Sequence, residues 1–106
     1  MRIAVTAKGT TLDSPVEPRF GRCAHVLLVD STGMGVEALP NPYAQESGGA
    51  GSRLVGLIAD HGAAVVLTGS PGPNAFTALE AAGIRTVTGC TGTVRQALEA
   101  FGVRGA

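Results

Sequence analysis

Residues 63–68, Ala-Ala-Val-Val-Leu-Thr, run directly into Gly69-Ser70-Pro71-Gly72-Pro73-Asn74, and no other stretch constrains the fold as strongly. The first run is apolar on both faces of a strand, which only a sheet covered on both sides can accommodate. The glycine- and proline-rich loop then opens a helix, with Pro73 suited to the first turn, where a missing N–H costs nothing. That helix, over 73–82, carries Phe76, Leu79 and Ala82 and stops at Gly83, and 84–88 reads as another strand. A strand, a helical crossover and a second strand demand parallel pairing.

The remaining elements assemble around this unit. Residues 2–7 alternate and form the opening strand, and Pro15 and Pro18 keep the following stretch, 8–23, a loop. A second strand spans 25–30. Ser31-Thr32-Gly33 is a tight turn into a third strand over 35–40, whose Glu37 and Pro40 suit a sheet edge. Residues 41–49 form a polar loop, the least structured segment of the chain. Leu54, Val55, Leu57 and Ile58 follow helical spacing over 52–61, closed by Gly62, and Thr93-Val94-Arg95-Gln96 is a capping box opening a last helix through Leu98 and Phe101. The order β, β, β, α, β, α, β, α predicts an α/β domain over 1–106, one mixed sheet with helices on both faces.

Composition removes several function classes. No apolar run approaches the ~18 residues of a membrane span, and the first residues lack the features of a secretory leader. A formal net charge of zero argues against a general nucleic-acid binder, and the few aromatics (Phe20, Tyr43, Phe76, Phe101) make no base-stacking platform. Cys23 and Cys90 form no metal-ligand spacing; a disulfide stays open, with two reduced thiols in a cytoplasmic chain as the expectation. The sixteen glycines follow no period, so their meaning is positional.

In an open sheet with parallel strands, ligands bind beyond the carboxyl ends of those strands. Gly49, Gly51 and Ser52 at one helix start, and Gly72, Pro73 and Asn74 at another, can present backbone N–H groups to one anion. Turn geometry and helix initiation are the plainer readings of the same residues, and neither a full GxGxxG nor a GxxxxGK[ST] is present. Arg19 and Arg22 supply a third wall, as an anion clamp or as partners of Asp13 and Glu17. Cys23, next to this arginine-rich loop, is a candidate thiolate ligand for a soft metal or else a small buried hydrophobe. Cys90 and Lys8 fall near the same rim, His61 suits a helix C-terminus, and His25 a strand edge. No set of side chains reads as a nucleophile with its base. A metal-dependent nuclease needs clustered carboxylates, which the acid-free first strand with Asp30 and Asp60 does not provide. The expectation is a protein that holds an anion without transforming it.

Ile3-Ala4-Val5-Thr6, the segment Asp13-x-Pro15-Val16-x-x-Arg19-Phe20-Gly21-Arg22 leading to Val29-Asp30, Asn41-Pro42, Gly49-Ala50-Gly51, Gly69-x-x-Gly72-Pro73-Asn74-Ala75 and Ala82-Gly83-Ile84 together form a pattern covering essentially the whole chain. It resembles the nitrogenase iron–molybdenum cofactor biosynthesis accessory family, in particular its small stand-alone members. The resemblance implies a three-layer, ribonuclease H-like α/β/α fold with a mixed five-stranded sheet of order 3-2-1-4-5 and strand 2 antiparallel. It also implies a carrier of a preformed metal–sulfur cluster, of molybdenum–iron or molybdenum–copper type, held without a cage of protein ligands. A P-loop ATPase or a cluster-assembly protein is then a candidate partner, and neither nucleic acid nor membrane is expected. A regulatory or interaction module binding a small anion or a partner ATPase is the alternative. Some nitrogenase-linked members hold cofactor with a histidine; neither His25 nor His61 matches it in position.

Overall fold

A computed structural model of the chain describes residues 1–33 and 35–103; Met34 and residues 104–106, the end of the expected domain 1–106, lie outside the described residues. The elements are β1 (Arg2–Ala7), a short 3-10 turn (Phe20–Arg22), β2 (His25–Asp30), β3 (Val36–Pro40), α1 (Ala50–Asp60), β4 (Ala63–Leu67), α2 (Pro73–Ala81), β5 (Arg85–Val87) and α3 (Val94–Phe101). They form one five-stranded sheet in the order β3-β2-β1-β4-β5. β2 runs antiparallel to both β1 and β3, whereas β1, β4 and β5 are mutually parallel. The expected order and the antiparallel second strand are both observed.

Strand periodicity of two sorts the core into two halves. Ala4, Val26, Leu28 and Val66 face one way and pack with Leu54, Val55 and Ile58 of α1 and Ala75 and Leu79 of α2. Ile3, Val5, Leu27, Val29, Val65 and Leu67 face the other way and meet Val94, Ala97 and Leu98 of α3. Two helices therefore cover one face of the sheet and one covers the other. Leu54, Ile58 and Leu79 are fully buried, so truncating any of them to Ala costs about 2–5 kcal/mol. No helix among the described residues is long and apolar enough to cross a membrane.

Element boundaries depart from expectation where backbone bonds intervene. α1 starts at Ala50 rather than at residue 52, because Gly49 takes a left-handed conformation (φ 75°) and its carbonyl accepts the Arg53 N–H at 3.0 Å. Ala50 and Gly51 thus belong to the first helical turn. β5 is shorter than 84–88, since the Ile84 N–H returns to the Leu79 carbonyl at 3.0 Å to close α2. The β2–β3 connection is organised by Asp30, whose carboxylate accepts the Thr32 N–H at 2.9 Å and the Thr32 hydroxyl at 2.7 Å. These bonds to the charged form, the hydroxyl first, pull the Asp30 carboxyl down to about 2.

Strand direction decides where the loops emerge. Ala7 pairs with His25 and His25 with Pro40, while Val5 pairs with Leu67 and Leu67 with Val87. The carboxyl ends of β1, β3, β4 and β5 therefore share one rim. All three helices begin on that rim, because each must run back toward the start of another strand or away from the last one.

Candidate functional site

Buried hydroxyls at the ends of β1 and β4 staple the first long loop to the rim. The Thr6 hydroxyl donates to the Glu17 carbonyl at 2.8 Å and lies 2.8 Å from the Thr68 hydroxyl. Each hydroxyl owns a single proton, so Thr68 must be the donor to Thr6. The loop then pairs with the one following β4. The Ser70 N–H donates to the Pro18 carbonyl at 2.6 Å and the Phe20 N–H to the Ser70 carbonyl at 3.3 Å. The approach is so close that a Cβ on Gly69 would stand 2.5 Å from Pro18 Cα, and one on Gly21 would stand 2.9 Å from Gly51 N. Phe20, 1% exposed, drives this wedge into the core beneath α1 and α2.

The wedge brings two helix starts side by side. Gly49, Gly51 and Ser52 of the α1 start, with Pro71, Gly72, Pro73, Asn74 and Ala75 of the α2 start, line a depression of about 210 Å³. A Cβ on Gly51 would lie 3.0 Å from Ala75 Cβ, so the helices touch at its floor. Neither start carries a side-chain cap: Gly49 and Gly72 occupy the cap positions, and Asn74 lies inside the helix, exposed. Among the described residues no protein group accepts from the N–H of Ala50, Gly51, Ser52, Asn74 or Ala75.

α3 shows what the alternative looks like. Its Thr93 hydroxyl accepts the Gln96 N–H at 3.1 Å while the Gln96 side chain accepts the Thr93 N–H at 2.9 Å. Val94 and Arg95 donate to the carbonyls of Ser14 and Leu12. Every first-turn donor of α3 is used, whereas α1 and α2 direct unpaired donors and their positive dipole ends toward one depression.

The arginines stand around this depression rather than in it. Arg19 is joined to Ser70 through the backbone, next to Pro71, but its guanidinium lies 3.6 Å from the Glu17 carboxylate with 75% of the side chain exposed. The expected pairing with Glu17 is therefore present. Among the described residues Arg22 pairs with no acid: its Nη1 donates to the carbonyls of Ala44 at 2.8 Å and Glu46 at 2.6 Å. Asp13, the other expected partner, pairs instead with Arg95 at 3.2 Å. Arg22 thus grips the 41–49 loop, which Asn41 secures by donating to the carbonyls of Gly21 at 3.1 Å and Cys23 at 2.9 Å. The segment expected to be least structured is bonded along its first half. Arg53, which directly follows Ser52, meets Glu46 at 2.8 Å. Sequence reading assigned Arg53 no role, although its position right after the glycine run was the available signal.

Of the two readings of Cys23, soft-metal ligand or small buried hydrophobe, its surroundings fit the second. It is 0% exposed, packed in the core under α1, and burial pushes its thiol up to about 12. A ligand must reach its metal, and this thiol presents no surface to the rim. Cys90 lies half-buried beside α3, in a separate depression of about 320 Å³ lined also by Arg85, Gln96 and Phe101, and burial raises its thiol too. Both cysteines are free thiols. His61 ends α1, its Nδ1 2.9 Å from the Leu57 carbonyl, and His25 opens β2 with Nδ1 buried and unpaired. Among the described residues, no three His, Cys, Asp or Glu side chains gather as a metal cage.

Comparison with known proteins places this architecture. A family model described as dinitrogenase iron-molybdenum cofactor matches residues 1–103. The structure is similar to the apo form of the orange protein from Desulfovibrio gigas, with a TM-score of 0.91 and 47% identity over 94% of this chain and 85% of that one. It is also similar to a putative NifB protein from Thermotoga, with a TM-score of 0.83 and 32% identity over 94% of this chain and 85% of that one. No curated protein matches the chain significantly. A match across nearly the full length, joined to a near-superimposable fold, shows that the chain belongs to the dinitrogenase iron–molybdenum cofactor family.

Proposed function

We propose that this protein is a non-enzymatic carrier that holds an anionic metal–sulfur cluster against the paired starts of α1 and α2. The observation that carries this reading is the depression itself, where two uncapped helix starts present unpaired N–H groups side by side. Backbone donors and helix dipoles attract negative charge without supplying a covalent ligand. A cluster brings its own sulfide ligands, so the absence of a side-chain cage among the described residues suits such a cargo. The family's name points to a molybdenum- and iron-containing cluster as the class, and a molybdenum–copper sulfide would likewise present an anionic sulfide surface to these donors. Arg19 and Arg53, both exposed at the border, add long-range attraction. A carrier must also unload, which non-covalent capture permits and four thiolates would resist. The donor or acceptor would be a cluster-assembly protein or a P-loop ATPase.

The test is direct. Purified protein is loaded with tetrathiomolybdate, alone and with copper(I), passed through gel filtration, and analysed for metal. Stoichiometric molybdenum in the protein fraction, reduced in Arg19→Ala but unchanged when both cysteines become serine, is the expected result. Protein that elutes free of metal under both conditions defeats the carrier reading. Turnover of nucleic acid with magnesium or manganese would replace it with a hydrolase.

A further inference from the structure

Arg53 stands four residues after Gly49, which lines the α1 wall of the depression, so it shares the helix surface with that residue at the border of the site. Its guanidinium is already engaged. Nη1 meets Glu46 Oε1 at 2.8 Å in a pair whose side chains remain 61% and 33% exposed. Glu46 belongs to the 41–49 loop, and that loop has other anchors: Arg22 on the carbonyls of Ala44 and Glu46, Asn41 N–H on the Ala24 carbonyl at 3.0 Å, and Glu46 N–H on the Tyr43 carbonyl at 3.0 Å. The carboxylate of Glu46 is therefore not what holds the loop in place. What it does is deliver a negative charge to Arg53, a cation of the first turns of α1.

We propose that Glu46 is an internal competitor of the bound anion, a release element that keeps the affinity of the site low. The inference rests on the reading of the depression as an anion site. A bound cluster must share Arg53 with Glu46 and feels the repulsion of its charge at the same time. Both effects weaken holding and favour transfer. Because the pair is exposed, each effect is modest and fades with salt.

Tetrathiomolybdate is the probe, titrated by absorbance into the whole chain at low ionic strength. Glu46→Gln should bind it about two- to tenfold tighter than the parent protein. Glu37→Gln makes the same change in net charge on β3, beside Arg2 and Asp30 in a different depression, and should leave the affinity unmoved. In an Arg53→Gln background the gain from Glu46→Gln should shrink to what the loss of direct repulsion leaves, since the competition is for that cation. Circular dichroism of each variant confirms that it is folded. Unaltered affinity in Glu46→Gln, a gain matched by Glu37→Gln, or a gain undiminished by loss of Arg53 each overturns the inference while the anion site stands. Failure of the parent protein to bind tetrathiomolybdate overturns the site and the inference together.

Discussion

Replacing Ser52 with Glu should strengthen the fold and weaken the site, and the opposed signs make the substitution informative. Ser52 occupies the third position of α1, exposed on the wall of the depression, in a first turn that contains no acidic residue. A carboxylate there meets the positive end of the helix dipole and adds about 0.3–1 kcal/mol of stability. For a domain of this size that corresponds to a rise of roughly 2–6 °C in Tm. The same charge would face a bound dianion at about 6 Å, where each unit pair costs about 0.7 kcal/mol even in bulk water and more near the protein. Tetrathiomolybdate carries two charges, so its affinity should fall at least about tenfold. Thermal melts without ligand give the first quantity and tetrathiomolybdate titrations the second, with Ser52→Gln as the neutral, equally long control. If Ser52→Glu and Ser52→Gln bind the anion alike, the helix starts are not where it sits, and the electrostatic reasoning is refuted.

Three further outcomes test the frame around the site. Gly69→Ala places a Cβ 2.5 Å from Pro18 Cα and should lower stability in urea unfolding by about 1–3 kcal/mol; an unchanged midpoint would show that the loops do not interlock. In the native protein a thiol reagent at pH 8 should modify Cys90 and leave Cys23 untouched until the chain unfolds, since Cys23 is fully buried with its thiol raised to about 12; rapid labelling of both contradicts that burial. Asp30, held at about 2 against an ordinary value of 3.8, contributes stability that is complete above pH 3.8 and is lost as pH falls toward 2, so Asp30→Asn should flatten the stability profile in that window and nowhere above it.

The parts of the molecule legible in the sequence are those written in local pattern. The alternation in residues 2–7 and the apolar run at 63–68 place their side chains on the two faces where the core halves lie. The Thr93–Gln96 capping box needed only a spacing of three, and the bonds are present. Gly49, Gly51, Ser52, Gly72, Pro73 and Asn74 could be placed on one rim from strand direction alone, and they line one depression. What escaped depends on acceptors that carry no residue signature. Arg22 was expected to meet an acid or an anion, but its partners are the carbonyls of Ala44 and Glu46, which any residues could offer. Asp13 finds Arg95 across nearly the whole chain, a pairing set by the Pro15–Thr93 bridge rather than by proximity in sequence. Cys23 was ambiguous because a cysteine beside two arginines looks like a ligand. It is buried in the core cluster with Phe20, Leu54 and Ile58, and the Asn41 amide bonds its carbonyl at 2.9 Å and stands 3.7 Å from its sulfur.

The uneven capping of the three helices bears on whether the depression is a site or a by-product of turn geometry. A Ser, Thr, Asp or Asn cap in place of an apolar residue is worth about 1 kcal/mol, and even glycine forgoes a few tenths of that. This chain spends such a cap, with its reciprocal Gln96 bond, on α3, whose first turn is sealed by the 12–15 loop. It spends none on α1 or α2, which meet at Gly51 and Ala75 and open to solvent together. Turn geometry accounts for glycine at position 72, where φ is 79° and ψ 165°, a region side chains avoid. It also favours glycine at position 49, where φ is 75° and ψ 6°, although Asn or Asp adopts this left-handed region more readily than other side chains. An acid at Gly49 would bring negative charge to the mouth of the depression, where it would oppose an anionic cargo. A glycine there leaves the donors bare, and bare donors at two adjoining helix starts are what distinguish α1 and α2 from the sealed start of α3 on the same rim.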